Sequence, residues 1–207
     1  MRDGELINDK EGITSLSTDT VHTDKNNRAW SRLENGNTIV QPMNLVIEKI
    51  ISGVPFYAWK DGCAPTSGAM VMAYWAYHGY SNLPTGNTLI DQLASQMRTD
   101  QNGKTFVVNI PAGIMHEALT HGYPNWVAYN DSSGRSYSTY SDYTNEIYAG
   151  RPILASVFGS STYQNHTMAG VGYRFDDYQD WIIVHDTWDT SNNKYLDYNS
   201  SVINTPQ

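Results

Sequence analysis

The chain has 207 residues, 40% hydrophobic and 12% aromatic, with 13 Lys+Arg against 21 Asp+Glu and a net charge of −8. That length suits one domain, or one domain with an extra arm, and it can bury a sizeable core without disulfides or metals. The acidic balance argues against nucleic acid or an anionic membrane as a partner, since both need a basic face, and no apolar run of about 18 residues is present to insert in a bilayer.

Residues 1–37 read as a polar arm with scattered apolar positions (Ile7, Ile13, Leu16, Val21, Trp30, Leu33). Such a segment is expected to be loosely packed or disordered, or to act as a propeptide. Residues 38–207 read as the domain proper. The opening MRDGELINDKEG has no apolar stretch of the signal-peptide kind. Scarce lysine and abundant Asn, Ser and Thr point to a secreted or cell-surface bacterial protein, whose export signal would lie outside this sequence. Residence in the cytoplasm is the other reading.

From Thr38 to Tyr57 the runs TIV, NLVIEKII and VPFY predict two or three short strands, broken at Pro42 and Ser52-Gly53. A long helix is expected from Cys63 to about His78, with Pro65 in its first turn and Gly79 as its left-handed stop. Met70, Ala73, Tyr74 and Tyr77 would share its inner face. A second helix follows Asn87, a good N-cap, with Leu89, Ile90, Leu93, Ala94 and Met97 as its stripe. A third runs from Pro111 to before Gly122, with Ile114, Met115, Ala118 and Leu119 apolar. A fourth, short one spans Ser141 to Gly150. From Pro152 the pattern turns to strands: PILASVF, HTMAGVGYRF and DWIIVHDTW, then KYLDY and SVIN. Helices followed by an antiparallel sheet is the α+β arrangement.

Cys63 is the only cysteine. An intrachain disulfide and a CxxC metal or redox site are therefore excluded. A thiol at a helix N-terminus faces the positive end of the helix dipole and free main-chain N–H groups, which favour the reactive thiolate. Such a nucleophile needs a base, and the base needs an orienting partner. Of the six histidines, His22 lies in the arm. His78 is ~21 Å along the helix from Cys63 at 1.5 Å per residue. His116 and His121 are five apart, about 140° around a helix, so they miss the H-E-x-x-H metal spacing. That leaves His166, at a strand start, and His185. The strand WIIVHDT runs back alongside the His166 strand, bringing Asp186 level with it. Asp186 can then hold the imidazole tautomer. His185 points to the opposite face and is the reserve base.

Cys63 after Gly62, Gly150-Arg151-Pro152-Ile153, His166 with Gly170 to Tyr173, and Asp186-Thr187 follow one another in the order Cys, His, Asp. Together they resemble the papain-like cysteine peptidases of the C39-like type, relatives of the bacteriocin-leader processing peptidases, over about residues 52–190. The resemblance implies a papain-like α+β fold and thiol-dependent peptide-bond hydrolysis. It implies Cys63 as nucleophile, His166 as base and Asp186 as the residue that orients it. It implies a peptide or protein substrate and neither metal nor cofactor. The sequence does not indicate an oligomeric state.

One departure from that family stands out. A glutamine about six residues before the nucleophile usually completes its oxyanion hole, and Tyr57 occupies that position. Tyr57 O–H or Trp59 N–H are the candidate substitutes, beside the Cys63 N–H. Loss of such a donor costs ~10²–10³ in rate. Two alternatives stay open on this reading: an acyltransferase or amidase on the same fold, and a catalytically inactive peptide- or glycan-binding module. The aromatic clusters at Trp59, Tyr74, Trp75, Tyr77 and Tyr80 and at Tyr137, Tyr140 and Tyr143 are expected chiefly to pack the core. The acidic residues Asp176, Asp177, Asp186 and Asp189 fit solvated turns better than a calcium loop.

Overall fold

The computed structural model describes residues 46–131, 139–176, 179–198 and 202–206, together with 21–23 and 29–31. Two units divide the chain, residues 1–47 with 175–178 and residues 48–174 with 179–207. In the first, β1 (Val21–Thr23) and β2 (Ala29–Ser31) pair antiparallel, His22 opposite Trp30. The rest of the arm, the TIV run, Tyr137 and Asp177 lie outside the described residues.

The remaining elements in chain order are β3 (Ile47–Ile50), α1 (Cys63–Tyr77), α2 (Gly86–Gln96), α3 (Asn109–Thr120), β4 (Asn130–Asp131) and α4 (Tyr140–Tyr148), then β5 (Ile153–Ser160), β6 (Gln164–Asp176), β7 (Gln179–His185), β8 (Lys194–Asp197) and β9 (Val202–Pro206). The sheet runs β4-β9-β5-β6-β7-β8, with β3 pairing β6 off that path. Its β4–β9, β9–β5, β5–β6 and β7–β8 pairings are antiparallel. The architecture is α+β and papain-like, as the order of sequence patterns implied.

The helix α1 packs on α2 and on β5. Every residue from Ala64 to Tyr74 is buried, so α1 is enclosed on all sides rather than presenting one apolar face. The expectation for Tyr77 fails for this reason: the last turn emerges from the core, and Tyr77 is 66% exposed. Fully buried side chains such as Met70, Met72, Leu89, Leu93 and Met168 contribute ~1.5–3 kcal/mol each from removal of apolar surface from water.

The start of α2 lies one residue earlier than Asn87. Thr85 is its N-cap but its side chain makes no capping bond. Instead the Tyr57 hydroxyl accepts from the Gly86 N–H at 3.0 Å. In α3, Pro111 is the third residue, still within the first turn where its missing N–H costs nothing. Leu119 faces out at 54% exposure, against expectation. The helix α4 opens with a capping box, in which Thr139 and Asp142 each bond the other's main-chain N–H. One turn on, the buried Tyr143 hydroxyl shares its proton between Gly172 O at 2.9 Å and Ile183 O at 3.1 Å. That contact pins α4 across β6 and β7.

The VPFY run is not a strand. Pro55 has no N–H to give a ladder, Phe56 stacks on His185 with ring centroids 3.6 Å apart, and the main-chain N–H of Trp59 donates to Thr187 O at 2.8 Å. Among the described residues, no helix is long and apolar enough to cross a membrane.

Candidate active site

The turn before Cys63 is tightly wound. Asp61 has φ 57° and Gly62 has φ 130°. A Cβ on Gly62 would lie 2.6 Å from Gly103 O, so only glycine fits. Thr66, fully buried one turn later, clasps this turn. Its hydroxyl accepts from Lys60 N–H at 3.1 Å and lies 2.7 Å from both Lys60 O and Gly62 O. Cys63 is thereby the first residue of α1, partly accessible and unpaired with any other cysteine.

His166 lies on β6, opposite Val157 of β5, and is 7% exposed. Its imidazole interacts with the Cys63 thiol, each group favouring the charged form of the other. The ring Nε2 lies 2.7 Å from the main-chain oxygen of Asp186. A carbonyl only accepts, so Nε2 carries the proton, and in the neutral ring Nδ1 is left as the acceptor for the thiol.

Burial pushes the Cys63 thiol up. The His166 hydrogen bond and charge, together with the N–H groups of Thr167 and Ala64, outweigh it and leave the thiol below its ordinary value. Burial pulls His166 down, but the contacts with Cys63 and the Asp186 carbonyl, with the charges of Cys63 and Asp186, hold it above the ordinary histidine value. Both shifts favour a thiolate–imidazolium pair.

Cys63, His166 and Asp186 therefore meet, with one difference of atom. The Asp186 carboxylate does not bond the imidazole. Its Oδ1 accepts from the N–H groups of Trp188 at 3.0 Å and Asp189 at 2.9 Å, and its Oδ2 accepts from the Tyr163 hydroxyl at 3.0 Å. The rings of Tyr163 and Trp188 lie 5.5 and 4.7 Å from that of His166. Sequence reasoning missed Tyr163, although its place three residues before His166 puts it in the turn that leads into the His166 strand.

The other candidates are elsewhere. His185 has Nδ1 3.2 Å from Pro55 O and Nε2 3.0 Å from Asn193 Oδ1, so both nitrogens are engaged away from Cys63. His78 bonds Tyr74 O, and His121 pairs with the buried Glu117 at 3.0 Å. The Tyr57 hydroxyl is tied to Gly86 at the start of α2, while Gly62 packs against Thr99 just beyond its end. The eleven residues of α2 separate those points by ~15 Å or more at 1.5 Å per residue. Tyr57 is therefore too distant to hold an oxyanion at Cys63. The indole of Trp59 lies against Gly103, which in turn abuts Gly62. Among the described residues no group of three or more His, Cys, Asp or Glu is placed to hold a metal. A cavity of about 410 Å³, lined by Met72, Trp75, Tyr80, Trp126 and Ile153 among others, lies between α1 and the start of β5.

Comparison with protein families gives a match to the family described as Peptidase C39 like over residues 51–205. The chain belongs to that family. The match begins immediately after β3 and runs on through β8 and into β9, beyond the segment that the sequence motifs marked. No curated protein is significantly similar to the chain. Family membership supports a peptidase.

Proposed function

We propose that the chain is a cysteine peptidase that hydrolyses peptide bonds with Cys63 as nucleophile and His166 as general base and acid. The supporting observation is the thiol at the start of α1 beside an imidazole whose Nε2 is held by a carbonyl, the two groups favouring each other's charged forms. The Cys63 thiolate attacks the substrate carbonyl carbon. The oxyanion is held by the Cys63 N–H at the helix N-terminus, with the Trp59 indole N–H as the second donor on that side. His166 gives its proton to the leaving amine, and a thioester remains on Cys63. Water then gives a proton to His166 and its oxygen to the acyl carbon, which frees the acid and restores the pair. Asp186 keeps His166 oriented throughout. The substrate is a peptide or protein, and the Asn-, Ser- and Thr-rich, lysine-poor composition supports work outside the cell.

The test is the alkylation rate of Cys63 by iodoacetamide from pH 4 to 10, in the wild type and in His166→Ala. The expected wild type reacts well below the free-thiol pKa of ~8.5, and the variant's profile moves up toward it. Identical profiles, or an inert Cys63, overturn the proposal. Peptide hydrolysis that survives Cys63→Ala does the same.

A further inference from the structure

We propose that Asp186 orients His166 through its main-chain carbonyl, and that its carboxylate, held by the Tyr163 hydroxyl, is the brace that aims this carbonyl. The inference rests on the peptidase reading and replaces the charged acceptor expected of such a triad with a neutral one.

The geometry distinguishes the two roles. The carbonyl oxygen is 2.7 Å from His166 Nε2. The carboxylate has three donors of its own: two turn N–H groups on Oδ1 and the Tyr163 hydroxyl on Oδ2. Asp186 is 3% exposed, so these donors rather than bulk solvent satisfy its carboxylate. The residue after it, Thr187, holds φ 71° and is 1% exposed. A β-branched residue rarely adopts that conformation, and it persists only where its surroundings fix it. Here the brace fixes it from one side. From the other, the Thr187 carbonyl accepts from the main-chain N–H of Trp59 at 2.8 Å. The turn cannot relax without swinging the Asp186 carbonyl off the imidazole.

Tyr163 is the positioning residue that completes the brace. It comes from the turn between β5 and β6, and its ring stacks on both His166 and Trp188. Burial and the neighbouring Asp186 charge push its phenol up, so it stays a donor across the working pH range. The charged and titratable groups that face His166 are then Cys63 from α1, Asp186 from the end of β7, and the neutral Tyr163.

The experiment compares Asp186→Asn, Asp186→Ala and Tyr163→Phe by the pH profile of Cys63 alkylation, with a thermal melt of each. Asparagine keeps the main-chain carbonyl and an Oδ1 for the turn N–H groups. Asp186→Asn is expected to alkylate at pH 6 within about fivefold of wild type, because the carbonyl on Nε2 is kept while the Asp186 charge is lost and the Tyr163 contact becomes a neutral hydrogen bond donated by the amide. Asp186→Ala loses the brace and is expected to be at least about tenfold slower, with its profile moved toward that of a free thiol. Tyr163→Phe keeps the ring and loses the donor; a slowing of about three- to tenfold is expected. A carboxylate acting directly on the imidazole predicts instead that asparagine fixes the wrong tautomer, at a cost of up to ~10⁴. An Asp186→Asn profile shifted as far as that of His166→Ala overturns the inference, even if Asp186→Ala fails to fold. A Tyr163→Phe profile identical to wild type removes Tyr163 from it. A wild type without a reactive thiol would instead refute the peptidase reading beneath.

Discussion

Gly62→Ala is the perturbation that most directly couples fold to chemistry, and Gly79→Ala is its control. Both glycines have positive φ, 130° and 109° respectively. A Cβ on Gly79 would meet nothing within 4 Å, so alanine there meets only backbone strain, ~1–2 kcal/mol. At Gly62 the Cβ would also lie 2.6 Å from Gly103 O, 3.1 Å from Thr99 Cγ2 and 3.2 Å from Pro65 Cδ. The first of these is a main-chain atom and cannot rotate away, so the turn or the Gly103 loop must shift by about half an ångström. The combined loss is expected to reach ~3–4 kcal/mol. At ~2–4 °C per kcal/mol for a chain of this size, Gly79→Ala lowers the melting temperature by about 2–8 °C and Gly62→Ala by about 6–16 °C. Cys63 follows Gly62 directly, so its alkylation at pH 6 is expected to slow by about tenfold or more, since sub-ångström misplacement is costly to reaction geometry. Circular dichroism melts and iodoacetamide rates give the two readouts. Equal melting temperatures for the two variants would refute the steric argument. A Gly62→Ala protein that alkylates as fast as wild type would refute the claim that this turn aims the thiol.

Other outcomes follow from buried polar contacts. Tyr143→Phe removes the donor shared by Gly172 O and Ile183 O; a loss of ~1–3 kcal/mol in urea unfolding is expected, and an unchanged midpoint would show that α4 is not pinned by that hydroxyl. Ser67→Ala leaves Thr167 O without the 2.9 Å bond it accepts, with a similar expected loss of ~1–3 kcal/mol; it should also slow Cys63 alkylation, and a stability loss with unchanged alkylation would sever that link. Glu117 is 1% exposed, and burial holds its carboxyl above the usual range despite His121. A raised carboxyl contributes stability below the unfolded value of ~4.3 and loses it as pH rises through the folded one. Glu117→Gln is therefore expected to gain melting temperature on the wild type from pH 4 to pH 8, and a difference constant with pH would refute the assignment.

The helix start at Cys63 is legible because a polar, glycine-containing turn abuts an apolar run with Pro65 in first-turn position. His166 and Asp186 are legible because strand periodicity and chain order leave little else. What α1 buries is less so: apolar periodicity marks only one face as internal, whereas the run from Cys63 to Tyr77 has no charged residue, which is the signature of a helix enclosed on all sides. The misplacement of Tyr57 has a different cause. Residues 54–60 have no regular structure, so no period says where a side chain points, and only the packing of α2 reveals that its hydroxyl caps Gly86. The atom by which Asp186 meets His166 is equally illegible. Side chain and carbonyl leave the same residue, and the choice between them is made by Tyr163 and the two turn N–H groups.

The nucleophile and the base come from different layers, and the contacts between those layers explain how their distance is set. The main chain of Thr167, next to His166, turns both of its polar groups toward α1. Its N–H supports the Cys63 sulfur and its carbonyl accepts from Ser67, one turn along the same helix. Its side chain meets Ser156 of β5 at 2.9 Å, so the strand cannot slide along the sheet without breaking that bond. On the far side of the imidazole, the bond from the main-chain N–H of Trp59 to Thr187 O ties the segment leading into Cys63 to the turn that carries the Asp186 carbonyl. Sulfur and imidazole are thus fixed by main-chain groups and short side chains, none of which has the rotamer freedom of a long one. Hydroxyls at Thr66 and Ser67 on an otherwise apolar helix, where they would lower helix propensity, are accounted for by this joint: one holds the turn that presents the thiol, the other the strand that presents the base.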